Sequence, residues 1–149
     1  MKALIRCAGG EDLASLEEFL GKANLNTDGI GEMLDYFIIL ENGNGKIIAT
    51  LGIEPLGKIG LLRSLAMDPQ ANASEQDLFI LFEQAFLLAK DKGIKTLYLA
   101  SNKKNSMQFF RLLGFREEEK GNLPEELHKS DHVTHILTVD NSFFLKLSM

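Results

Sequence analysis

At 149 residues, 45% of them apolar and 25% charged, the chain has the size and composition of one globular domain that can bury a core without staples. Sixteen basic against 21 acidic residues leave a formal charge of −5, which argues against nucleic acid as a partner, since phosphate backbones are met by clustered Lys and Arg. The single cysteine, Cys7, excludes an internal disulfide framework and a cysteine zinc cluster, and a reducing cytoplasm is the expected compartment.

In chain order, Ala3-Leu-Ile-Arg-Cys-Ala reads as a strand closed by Gly9-Gly10. Its apolar patch, Ala3–Ile5, is too short for a secretory signal. Glu11-Asp12 opens a helix to about Lys22, with Leu13, Leu16, Phe19 and Leu20 at helical spacing. Asn24–Gly31 is a polar loop with a helical turn after it, and Phe37–Leu40 is a strand. Asn42-Gly-Asn-Gly45 accepts positive φ cheaply and predicts a hairpin turn into the strand Ile47–Ile53. A turn at Leu56-Gly-Lys58 leads to the strand Gly60–Met67, which Asp68-Pro69 ends.

A long helix is predicted from about Ser74 to Lys92, with Gly93 as its C-terminal cap. Its apolar stretch Leu78–Ala89 is broken by Glu83 and Gln84, so no membrane span is expected. Phe79, Phe82 and Phe86 along it read as core. Then follow the strand Lys95–Ala100, a helix Asn105–Leu113 ended by Gly114, a short strand at Phe115-Arg-Glu, a short helix from Pro124 to about His132, and a last strand Phe143–Leu147. A helical crossover joining Gly60–Met67 to Lys95–Ala100 makes those strands parallel neighbours. The expected architecture is α/β (α+β): a mixed sheet with helices on both faces.

Leu61-Leu-Arg-Ser-Leu-Ala-Met-Asp-Pro69, the long helix, Lys95-Thr-Leu-Tyr-Leu and Phe109-Phe-Arg-Leu-Leu-Gly-Phe115 together resemble the GNAT superfamily of N-acetyltransferases over nearly the whole chain. Glu54, Gly60-Leu-Leu-Arg-Ser-Leu and Leu123-Pro-Glu-Glu look closest to its arsenic-resistance-associated and amino-acid N-acetyltransferase-like group. The resemblance implies one acetyltransferase domain over residues 1–149 with a bulged fourth strand splayed from the fifth. It also implies acetyl-CoA as co-substrate, a small-molecule amine as acceptor, no metal, and no membrane partner. A homodimer is left open.

By the same resemblance, the backbone of Leu65, Ala66 and Met67 faces the pantetheine chain, which suits an unpaired strand edge. Asn72, Ala73 and Ser74 occupy the pyrophosphate loop, and Asn105 and Phe110 are further cofactor-binding positions. The superfamily loop has the form Gln/Arg-x-x-Gly-x-Gly/Ala; here Gln70-Ala-Asn-Ala-Ser-Glu-Gln-Asp77 lacks its glycines. Ser74 with Asp77 matches a helix-capping pattern instead, and Glu75 and Asp77 put carboxylates where a pyrophosphate would use the positive helix end. Either the helix is simply well capped, or CoA binds through the strand edge and a reshaped loop with help from Lys103 and Lys104.

Acetyl transfer needs a proton acceptor for the amine and stabilisation of the oxyanion. Glu54, at the end of an apolar strand, is the candidate base. Arg63, inside a strand expected to be buried, needs a carboxylate partner: Glu54, or that of an amino-acid-like substrate. A two-residue turn at Gly57-Lys58 puts Glu54 and Arg63 diagonally on one face, with Ser64 pointing to the other. Phe110 stands where the resemblance places a proton-donating tyrosine. His128, His132 and His135 would share a helix face only if the late helix continued through them. The two functions in play are acetyl transfer to a small, amino-acid-like amine and a catalytically impaired GNAT-fold module that binds a small ligand or a partner protein.

Overall fold

The computed structural model describes residues 4–71, 73–137 and 142–149. In chain order it contains β1 (Leu4–Cys7), α1 (Leu13–Lys22), β2 (Phe37–Glu41), β3 (Ile47–Leu56), β4 (Ile59–Met67), α2 (Glu75–Asp91), β5 (Thr96–Ser101), α3 (Met107–Leu112), β6 (Arg116–Glu118), α4 (Asp131–Leu137) and β7 (Phe143–Ser148). The seven strands form one mixed sheet in the order β1-β2-β3-β4-β5-β7-β6. β4 and β5 are parallel, as the α2 crossover requires, while the β1–β2, β2–β3, β5–β7 and β6–β7 pairs are antiparallel. No helix among the described residues is long and apolar enough to cross a membrane.

Contacts divide the chain into two compact units, one of residues up to Glu54 with Arg63–Leu88, the other of Pro55–Leu62 with Ala89 onward. In the first, α1 buries Leu16 and Leu20 against Phe37, Ile39, Ile47 and Ala66, with Leu13 and Phe19 packed at the margin. Those α1 positions are the helical stripe seen in the sequence. Asn24, at φ 60°, ends the helix, and the Leu25 N–H bonds back to the Leu20 carbonyl at 3.0 Å. The β2–β3 connection closes on Asn42, whose side-chain oxygen accepts the N–H groups of Asn44 (2.9 Å) and Lys46 (3.0 Å).

The second unit packs Ile59, Leu61, Tyr98 and Phe144 from the strands against Leu123, Leu127 and Val133. α2 ends as the sequence predicts, with Gly93 at φ 77° and the Ile94 N–H on the Ala89 carbonyl.

Two helices differ from the sequence expectation. α3 begins at Met107, because Lys104–Ser106 forms a 3₁₀ turn that holds Asn105. The helix expected from Pro124 to His132 is a 3₁₀ turn, Glu125–Lys129, followed by α4. Ser130 makes the break: it is buried, its Oγ accepts the Val133 N–H at 3.3 Å, and it caps α4 in place of continuing the turn. The break separates His128 from His132 and His135, so no single helix face carries all three. Among the described residues no group of three or more His, Cys, Asp or Glu is placed to hold a metal ion.

Candidate active site

The β3–β4 hairpin turns at Gly57-Lys58, and Gly57 takes φ 71°, a left-handed conformation that glycine reaches without strain. With this turn, position 54 lies opposite 61 and position 52 opposite 63. Glu54 and Arg63 are therefore diagonal neighbours on one face. Their side chains meet: Arg63 Nη1 donates to Glu54 Oε1 at 3.0 Å, with the side chains 14% and 19% exposed. Among the described residues, Arg63 Nη2 and Nε have no protein acceptor.

One residue further on, the strand is irregular. Phe37 pairs with Gly52, and its ring lies over the Gly52 Cα. Gly52, Glu54 and Arg63 thus share the face of Phe37, and so does Ala66, which packs in the same cluster. Arg63 and Ala66 are three residues apart, an odd spacing that a regular strand cannot place on one face. The extra residue is Ser64, at φ 59°, a left-handed conformation uncommon for any residue but glycine. β4 therefore carries a bulge, and Thr50, fully buried on β3, donates its Oγ1 proton to the Ser64 carbonyl at 2.9 Å. Sequence reasoning took Ser64 as an ordinary strand residue and did not single out Thr50. Neither residue type signals positive φ or a side-chain bond across two strands.

Beyond the bulge, Leu65 is half-buried, Ala66 is buried and Met67 is exposed. The β4–β5 pairs run from Ile59↔Thr96 to Leu62↔Leu99, and β4 continues past the last of them to Met67. Met67 reaches a groove of about 550 Å³ in the first unit, which Phe19, Ile47, Lys46 and Asp68 also line. Lys46 Nζ stands 3.3 Å from Asp68, and the Gln70 N–H, then Lys46, hold the Asp68 carboxyl below its ordinary range.

At the start of α2, Ser74 and Asp77 form a reciprocal capping box. The Asp77 N–H donates to Ser74 Oγ at 3.1 Å, and the Ser74 N–H donates to Asp77 Oδ2 at 2.9 Å. Ala73 is half-buried and Ser74 exposed beside this box; Asn72 lies outside the described residues. In the second unit Asn105 and Lys103 are exposed. Phe110 is 6% exposed, in edge-on contact with Phe109 (5.6 Å) and Phe115 (6.1 Å). Tyr98, buried on β5, has its phenol pushed up by burial and by the nearby Glu118 and Glu126 carboxylates.

No family model matches the sequence. A relative does: the uncharacterized protein YwlB of Bacillus subtilis (strain 168) is 32% identical over 143 residues, 95% of this chain and 95% of its own. The chain belongs to the YwlB family. Solved structures give the fold. The acetyltransferase of the GNAT family from Staphylococcus aureus Mu50 matches with a TM-score of 0.74 at 20% identity, over 99% of each chain. N-acetylglutamate synthase from Neisseria gonorrhoeae, complexed with coenzyme A and N-acetyl-glutamate, matches with a TM-score of 0.78 at 20% identity. There the match takes in 99% of this chain but 35% of that one, so the chain spans about a third of the synthase. This YwlB relative has the GNAT fold.

Proposed function

We propose that the protein is an N-acetyltransferase that moves an acetyl group from acetyl-CoA to the amine of a small, carboxylate-bearing, amino-acid-like molecule. The observation that carries this reading is the Arg63–Glu54 pair next to the bulge of a GNAT-fold β4. The edge Leu65–Met67, past the last pair with β5, offers N–H and C=O groups to the pantetheine amides. Arg63 keeps Nη2 and Nε for a substrate carboxylate, a planar fork matched to that group. Glu54 takes the amine proton, directly or through water, as the nitrogen attacks the thioester carbonyl carbon. The carbon–sulfur bond then breaks, and the CoA thiolate leaves and is protonated. With a thiol pKa near about 8.5 it needs little help, which suits a buried Phe110 that donates nothing. The likeness to the amino-acid-acetylating group, and the N-acetyl-glutamate bound by the synthase, favour the acceptor class.

A second reading, a GNAT-fold binding module without turnover, draws on the capped start of α2, where Ser74 already occupies the Asp77 N–H. One experiment separates them. Acetyl-CoA raises the melting temperature by mass action under either reading if it binds, but CoA-thiol release against a panel of amino acids and small amines occurs only in an enzyme. Thiol release on any amine of the panel establishes the enzyme; no thiol release on any of them, with or without thermal stabilisation by acetyl-CoA, leaves the module.

A further inference from the structure

The tip of the β2–β3 hairpin repeats one dipeptide: Asn42-Gly43 is followed at once by Asn44-Gly45, and Gly43, Asn44 and Gly45 are exposed. Asparagine before glycine is chemically fragile. With no Cβ on the following residue, its backbone nitrogen reaches the asparagine amide carbon without a steric barrier. In an unfolded chain the two dipeptides are near equivalents, but the folded turn treats them differently.

Asn42 is held by its side chain. Its Oδ1 accepts the N–H groups of Asn44 at 2.9 Å and Lys46 at 3.0 Å, while its own N–H donates to the Lys46 carbonyl at 2.9 Å. Bringing the Asn42 amide carbon over the Gly43 nitrogen breaks both Oδ1 bonds. Asn44 is held only by the backbone that follows it. Its side chain makes no hydrogen bond among the described residues, and the Gly45 N–H donates to the Asn42 carbonyl at 3.0 Å, with Gly45 at φ 79°. Freeing the Gly45 nitrogen breaks that one exposed bond. A net hydrogen bond is worth about fivefold in an equilibrium, so the reactive arrangement is about fivefold rarer at Asn42 than at Asn44.

We propose that Asn44 is a site of spontaneous covalent modification, converting through a cyclic imide to aspartate and isoaspartate with water as the co-reactant, while Asn42 in the same turn is protected. The Gly45 nitrogen loses its proton to solvent base and attacks Asn44 Cγ. A carbon–nitrogen bond forms, and the tetrahedral carbon expels the side-chain nitrogen, which takes up a proton and leaves as ammonia. Water then adds to either carbonyl carbon of the imide and breaks its bond to the ring nitrogen, which regains a proton. Nothing is oxidised or reduced: water is consumed and ammonia released. The isoaspartyl product lengthens the main chain inside the turn that Asn42 closes. Both products place a carboxylate two residues from Lys46, which pairs with Asp68 on the wall of the groove. None of this depends on acetyl transfer.

The test ages full-length protein in mildly alkaline buffer, folded and in parallel unfolded in guanidinium chloride. Peptide mapping by mass spectrometry reads the conversion of amide to acid at each position. In the folded protein, position 44 should convert about fivefold faster than position 42. In the unfolded chain the two should convert alike, because glycine follows both. Equal rates in the folded protein would overturn the proposal. So would faster conversion at position 42, which would mean that the two N–H groups on Oδ1 activate its amide carbon instead of holding it away. No conversion at position 44 in the folded protein, over many times the period that converts it unfolded, would also overturn it.

Discussion

Arg63 and Glu54 bridge the β3–β4 hairpin at 3.0 Å, with both side chains less than a fifth exposed. Removing one partner from such a pair leaves the other charge poorly solvated. Arg63→Met should therefore destabilise the protein by about 2–3 kcal/mol, below the 3–5 of a fully buried pair because water still reaches both groups. Glu54→Gln, which keeps a hydrogen-bond acceptor, should cost less. In urea unfolding, the double variant should be more stable than the sum of the singles predicts, and additive losses would show that the two groups do not couple.

The α2 cap gives a second expectation, this time about affinity. Glu75 and Asp77 lie in the first turn, where the helix end attracts anions, and they compete with any phosphate for it. Glu75→Gly removes one carboxylate and opens the backbone. It should tighten acetyl-CoA binding by about 1 kcal/mol, roughly fivefold, at low ionic strength. Ser74→Ala breaks the capping box and should cost about 1 kcal/mol of stability. Calorimetry with acetyl-CoA tests the first and thermal unfolding the second; unchanged affinity in Glu75→Gly removes the electrostatic account of the loop.

Much of this architecture is readable from residue order. The α1 stripe, Gly93 and the Asn42–Gly45 turn each carry their own local chemistry, so their elements fall where periodicity and turn propensity place them. The Glu54–Arg63 diagonal follows from one two-residue turn, because a hairpin fixes register for every residue after it. What is not readable depends on contacts across strands. Ser64 adopts positive φ with its carbonyl on the hydroxyl of Thr50, fourteen positions away, and no local propensity of serine announces that. The late helix misplaces for a similar reason: Ser130 is a cap only once it is buried. Phe110 stands, by resemblance, where the superfamily has a tyrosine; its edge-on contacts with Phe109 and Phe115 are a packing detail that the sequence does not announce.

Acid stability is set in part by Asp12, which accepts Arg6 Nη1 at 2.7 Å, Arg6 Nη2 at 2.8 Å and the Gly9 N–H at 2.7 Å. The Arg6 hydrogen bonds, reinforced by the Gly9 N–H, hold its carboxyl down at about 2, from an ordinary value of 3.8. A carboxyl depressed by folding contributes stability that is complete above its unfolded pKa and is lost as pH falls through its folded one. The contribution should therefore fade between about pH 4 and about pH 2. Asp12→Asn cannot ionise, so its stability deficit against the wild type should be largest above pH 4 and shrink across that window. Urea midpoints at pH 6, 4, 3 and 2 measure it, and a deficit constant with pH would mean that Asp12 acts by shape alone.

Gly52 tests the packing beneath the site. A Cβ added there would lie 2.8–3.0 Å from three ring atoms of Phe37, which is itself 1% exposed and fully packed. On an open strand, replacing glycine by alanine gains stability by restricting the unfolded chain, by about 0.4–1 kcal/mol. Here the ring has nowhere to go, because Leu16, Leu20 and Ile39 crowd the same cluster. Overpacking of this kind costs about 1–3 kcal/mol, so Gly52→Ala should be destabilising by about 1–2 kcal/mol net. Phe37→Leu removes the obstructing ring edge at its own cost. In that background Gly52→Ala should cost nothing or stabilise slightly, since the clash is gone and the restriction of the unfolded chain remains. Because position 52 lies opposite Arg63, a ring displaced by the clash would also disturb the Glu54 pair, and the single variant should lose activity more than its stability loss explains. Four-variant urea unfolding with parallel thiol-release rates decides the matter: equal costs of Gly52→Ala in both backgrounds would show that the Phe37 ring is not what requires glycine there.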